Sequence, residues 1–156
     1  MASFAYKIRS DKCVVGRAKF PYHPAPLSDE LLSSWLTRTA LRHLTDPATF
    51  VNLYLPRWKN VIWTRDLDMW ADRELLEALS IKSRCAYDDL YDLTLRSYEG
   101  YLAETITPKT RNPFIQNLVN CCRIKIGNGL RFCPECLRTD AIPYFRKKWR
   151  LSFTTA

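Results

Sequence analysis

Glycine is scarce in this chain, four residues in 156, and histidine scarcer still, with two. So little glycine leaves no glycine-rich phosphate cradle, and no P-loop pattern occurs. No stretch reaches the roughly 20 apolar residues that a membrane-spanning helix needs. The first twenty residues carry Lys7, Arg9, Lys12, Arg17 and Lys19 and no apolar run, so no secretory signal is expected. The six cysteines are then read as cytoplasmic thiols, and in a reducing compartment paired cysteines bind metal more often than they form bridges. An enzyme needs convergent reactive groups. Asp66 with Asp68, or Asp88, Asp89 and Asp92, could be imagined as a nuclease metal pair. Neither set has a histidine or a further carboxylate at informative spacing, and both suit helix starts better. The expectation is a protein that is not an enzyme.

What is present is a foldable, basic chain. Hydrophobic residues make up 47% and aromatics 13%, which supplies a core and excludes a disordered tail. The length fits one domain or two small lobes. With 24 Lys+Arg against 16 Asp+Glu the net charge is +8, which favours polyanionic partners.

The pattern is mainly helical. Residues 1–19 form a leader, and Tyr22 to Leu27, rich in proline, is expected to lie extended on the next element. Ser28 is an apt N-cap, with Asp29 and Glu30 at the positive end of the dipole. Leu31, Leu32, Trp35, Leu36, Ala40 and Leu44 share one helical face and are expected in the core. Arg38 and Arg42 line the other side. Pro47 ends this helix or begins the next. A short helix over about 48–55, a loop at Pro56 and a helical turn from Asp66 to Trp70 follow. Glu74 to Leu79 is helical and Ser80 to Ser83 breaks it. Ser83 can then cap a second helix that buries Tyr87, Leu90 and Leu93, with Ile81 plugging the angle. This is a helix-turn-helix candidate. Its second helix carries Asp88, Asp89 and Asp92, which would repel phosphates, so docking on protein is favoured over reading DNA. Cys13 and Cys85 are expected as buried small residues and His23 on the surface. His43, near the end of the first helix, suits the dipole as a cation.

Gly100 to Pro113 is looser and marks a boundary between a lobe at 20–100 and one at 101–156. A short apolar helix is expected from Phe114 to Cys122. Phe132-Cys133-Pro-Glu-Cys136 is a metal-ribbon knuckle, since two thiolates at this spacing grip one Zn²⁺ from a tight turn. Cys121 or Cys122 could add a ligand, though adjacent cysteines rarely serve one metal together. A redox role would need a strand-helix-strand setting that is not visible. Arg146-Lys147-Lys148-Trp149-Arg150 places four cations in five residues, either a solvated end or a phosphate-contacting arm.

Two blocks resemble a known family. Pro24-x-Pro26-Leu-x-Asp29-Glu-Leu-Leu-x-Ser-Trp35-Leu-x-Arg38 resembles the opening of the TniQ/TnsD target-selection proteins of bacterial transposons. Phe132-Cys-Pro-x-Cys136-Leu-x-x-Asp140 with Pro143-Tyr-Phe-Arg-x-x-Trp149 resembles their zinc segment. The resemblance implies a helix-turn-helix lobe followed by a zinc lobe. It implies a non-catalytic adaptor of a Tn7-like element in the bacterial cytoplasm. Such an adaptor links target DNA, or an RNA-guided targeting complex, to an AAA+ ATPase and the transposase, and some members form head-to-tail dimers. The family pattern continues with Cys-x-x-His after the tryptophan, where this sequence has Leu151 to Ala156. The zinc ribbon is therefore expected to be incomplete. The sites so expected are Cys133 and Cys136 for metal, with Cys121 or Cys122. Arg146, Lys147, Lys148, Arg150, Arg38 and Arg42 are expected to contact nucleic acid or a partner. The alternative is a generic helix-turn-helix or zinc DNA-binding regulator.

Overall fold

A computed structural model describes residues 19–107, 112–116 and 131–154. Among these the chain is helical, and the extended contacts are isolated bridges rather than strands. The mainly α reading holds. The helices are α1 (Leu32–Arg42), α2 (Pro47–Tyr54), α3 (Lys59–Thr64), α4 (Leu67–Trp70), α5 (Arg73–Ser83), α6 (Tyr87–Asp92) and α7 (Pro134–Thr139). Single 3-10 turns occupy Leu95–Tyr98 and Lys147–Arg150.

Local chemistry sets most boundaries. The Asp46 carboxylate accepts from Thr49 N–H at 2.9 Å, and Pro47 occupies the first turn, so α2 starts there. Asp72 caps α5 in the same way through Leu75 N–H at 2.8 Å. The start of α1 departs from expectation. Asp29 has φ of 62°, Leu31 takes the N-cap place without a side-chain cap, and Ser28 caps nothing. Glu30 is instead fully buried as an acceptor, taking Leu27 N–H, Ser34 Oγ and the Arg38 guanidinium. The other end of α1 also differs. The helix stops at Arg42, Leu44 takes φ of 55°, and its side chain is 96% exposed rather than in the core.

α5 and α6 pack on each other across residues 84–86, but not as the pattern suggested. Helix α5 runs through residues 80–83 and ends at Arg84, which is left-handed with φ of 61°. Ser83 faces back into α5, donating to Leu79 C=O at 2.7 Å, so it does not cap α6. Ile81 points outward, 69% exposed, and plugs nothing.

The principal core joins α1, α2, α5 and α6 through Trp35, Leu36, Phe50, Leu76, Leu79 and Leu90. The segment before α1 lies across this core as expected. Trp35 Nε1 donates to Pro24 C=O at 2.9 Å, Arg38 donates to Ala25 C=O, and His43 Nε2 meets Tyr22 C=O. His23 is half-buried, with Nδ1 3.5 Å from the Sγ of buried Cys85. A second apolar cluster gathers Leu31, Met69, Leu95, Ile106, Ile115 and Leu151, binding the end of the chain to its beginning. Ile115 makes a bridge to Leu151 instead of opening a helix. The rest of the segment expected as an apolar helix, and Cys13, lie outside the described residues.

Truncating Trp35 to Ala should cost about 3–5 kcal/mol of stability in urea unfolding, as for a fully buried aromatic. Leu44→Ala should stay within about 0.5 kcal/mol of wild type, because its side chain is already in water. Equal losses in the two variants would contradict the end assigned to α1.

Candidate functional site

The two cysteines of the expected knuckle lie at the start of α7. Cys133 is the N-cap of α7, Pro134 opens the helix, and Cys136 N–H donates to Cys133 Sγ at 3.4 Å. That N–H holds the Cys133 thiol below its ordinary range, while donation toward Cys133 pushes the Cys136 thiol up. Both side chains are half-exposed and free. The donor set is two soft sulfurs on one tight turn, which fits half of a tetrahedral zinc site. Among the described residues no group of three or more His, Cys, Asp or Glu completes it. Cys121 and Cys122 lie outside the described residues.

From the knuckle the chain runs as an arm across the helical lobe. Phe132 and Phe145 pack edge to face at 6.2 Å, and Phe145 meets Trp149 at 5.9 Å. The arm is threaded into the start of α1. Leu31 N–H donates to Phe145 C=O at 2.9 Å, Phe145 N–H to Ser34 Oγ at 2.9 Å, and Lys147 N–H to Asp29 C=O at 2.7 Å. Glu30 and Arg146 form an antiparallel bridge. The two blocks that carry the family resemblance thus meet in space, although 111 residues separate Ser34 from Phe145.

The cations of the arm are mostly spent inside the molecule. Arg146 binds the Asp140 carboxylate through two bonds of 2.6 and 2.7 Å and stacks over Tyr144. The Lys147 ammonium donates to Asp92 C=O and Ser97 Oγ and lies over the Tyr98 ring, and burial lowers its pKa. Arg150 is fully buried, which corrects the expectation of a surface cation. Its guanidinium pairs with Asp66 and Asp68 and donates to Gln116 C=O. Only Lys148 of the run is exposed. Arg38 is likewise tied to Glu30, whereas Arg42 stands in solvent at the end of α1.

The same pairing gives Asp66 and Asp68 their role in the fold. Both are buried under Arg150, and Asp68 also accepts from Ser33 N–H and Oγ at 2.8 Å each. Burial pushes the Asp68 carboxyl up to about 6, opposed by Arg150 and reinforced by Asp66. One cation shared between two carboxylates leaves the second poorly compensated.

A basic surface surrounds α3. Residues 47–65 contain no carboxylate, and Arg57, Lys59 and Arg65 are all exposed. Arg57 stacks over Trp58 and Arg65 over Trp70, both at 5.2 Å, and Arg57 also reaches Glu74. Arg65 was legible only as part of that acid-free run.

Comparison with known families agrees with the two-block resemblance, and the class is that of the target-selection proteins of Tn7-like transposition. The chain belongs to the TniQ family, whose model matches residues 21–156. No curated protein and no solved structure matches it. Among the described residues no helix is long and apolar enough to cross a membrane.

Asp68 gives a signed pH test. Its folded value of about 6 lies above the ordinary 3.8, so the folded state holds a proton that the unfolded chain releases. The contribution of Asp68 to stability therefore falls as pH rises from about 4 to about 6, by on the order of 3 kcal/mol. Asp68→Asn should gain stability relative to wild type across that window in urea titrations. Parallel profiles for the two proteins would refute the shift. Arg150→Met, which strands both carboxylates, should cost about 3–5 kcal/mol near neutral pH.

Proposed function

We propose that this chain is a cytoplasmic, non-catalytic adaptor of a bacterial Tn7-like transposon. It joins target DNA, or an RNA-guided targeting complex, to an AAA+ ATPase that brings in the transposase. The observation that carries the reading is the junction between its two family blocks. Glu30, Ser34 and Arg38 form a buried polar seat on α1, and the knuckle-borne arm docks against it. Two blocks joined in this way suit a tether, since partners bound to each are held on one unit. In this reading α5 and α6 serve as the helix-turn-helix. Acidic Asp88, Asp89 and Asp92 assign that pair to protein rather than phosphate. DNA is met by the exposed cations Arg42, Lys59, Arg65 and Lys148.

Zinc belongs to the same reading. Cys133 and Cys136 would hold it, with Cys121 or Cys122 as a further ligand, and the ion would fix the knuckle structurally. Purified protein should carry about one zinc per chain by elemental analysis, and Cys133→Ser with Cys136→Ser should lose it. A metal content near zero in the wild type removes the zinc assignment.

The adaptor role is checked by reconstitution with the ATPase and transposase of the same element. Targeted insertion should need this chain, and the ATPase should co-elute with it. Insertion that proceeds equally without the chain overturns the proposal. Duplex DNA binding should weaken steeply with salt. The combined Lys59→Glu, Arg65→Glu and Lys148→Glu variant should bind at least about tenfold more weakly with a shallower salt slope.

A further inference from the structure

A groove of about 920 Å³ opens between the segment before α1, α6 and the end of the arm. Its apolar lining includes Leu93, Leu102 and Leu151. Two aromatic residues stand in water beside it, Tyr101 at 88% exposure and Phe153 at 61%, with Tyr98 half-buried between the apolar lining and the rim. Among the described residues, three carboxylates line the groove, Asp29, Asp89 and Asp92, with Lys147 as the lining cation, and Asp29 is also neighboured by Lys148 and Arg146. Lys147 is already engaged by Asp92 C=O, Ser97 Oγ and the Tyr98 ring. The surface left for a ligand is therefore acidic and aromatic, on a chain whose net charge is +8.

We propose that this groove is a docking site for a cationic peptide segment of a protein partner, with Arg or Lys side chains alternating with aliphatic ones. The aliphatic side chains would rest on the leucine floor. The cations would face Asp89 and Asp92 and the exposed ring of Tyr101, which attracts cations through its π face. Exposed aromatics clustered in a concavity are typical anchors of protein interfaces and unusual as idle surface. Nucleic acid is the wrong chemistry here, because its phosphates would meet the exposed carboxylates of Asp89 and Asp92. The inference rests on the groove itself and not on the transposition reading, whose insertion and ATPase assays report separately.

The test is a titration of the full chain, ¹⁵N-labelled, with three probes. One is a peptide alternating Leu and Arg, the second has Glu at every Arg, and the third is duplex DNA. The Arg peptide should shift the amides of Ser97, Tyr98, Tyr101 and Leu102, and the Glu peptide should not. Asp89→Lys with Asp92→Lys, two exposed positions, should weaken the Arg peptide by about tenfold or more. Tyr101→Ala should weaken it without altering the thermal transition. The proposal is overturned if the Arg peptide leaves those amides unmoved, or if the double lysine variant binds it as well as wild type does. It is equally overturned if duplex DNA shifts the same amides, or if the groove amides shift with protein concentration alone, which would make a second copy the occupant.

Discussion

Arg150 is where the arm is fastened to α4 and the 112–116 segment. Its guanidinium has lost all contact with water and faces Asp66 and Asp68, 84 and 82 residues earlier. Burying charge is costly, and an ion pair in a protein interior recovers that cost only with good geometry and further hydrogen bonds. Here the further bonds exist. Gln116 C=O takes two guanidinium donors, and Ser33 gives two hydrogens to Asp68. The cluster therefore specifies one arrangement of α1, α4, the 112–116 segment and the arm. Sliding the arm by one residue would strand a cation and two carboxylates together. An apolar seam would tolerate such a slip more easily, because hydrophobic contact has no direction.

The second fastening works by the same logic and lies a short way along the arm. Glu30 is turned inward as the acceptor for Arg38 and Ser34, and Ser34 then accepts the N–H of Phe145. A left-handed Asp29 is what swings Glu30 into that position. Three residues of the first family block thus act through one another to receive the second. The motif is a docking seat, and its polar members are structural before they touch any partner.

Periodicity revealed the helices, because the apolar spacing of α1, α5 and α6 follows from the need to bury one face. It failed at helix ends. Leu44 matches the stripe of α1, yet a left-handed turn carries it into solvent, and spacing holds no information about that turn. Ile81 fits the position of a plug only if the helix breaks at Ser80, and tertiary packing keeps α5 going to Ser83. The spacing of Cys133 and Cys136 puts both on one turn, and Cys136 N–H meets Cys133 Sγ there. The cationic run Arg146 to Arg150 was not legible in this way. Charge in sequence says how many cations there are, while their fate depends on partners as near as Asp140 for Arg146 and as far as Asp92 C=O for Lys147 and Asp66 for Arg150. Three of the four found partners within the fold, and Lys148 remained in water.

That redistribution changes what net charge means for this protein. A value of +8 suggests a surface that is basic throughout. The fold instead internalises Arg150, ties Arg38 and Arg146 to carboxylates, and collects Asp29, Asp89 and Asp92 around one groove. The exposed cations that remain around α3 have no carboxylate within their own stretch of chain. A chain that is basic in sum can therefore offer an acidic recess to one partner and a basic surface to another. The adaptor role proposed above, holding two unlike molecules together, would draw on that division.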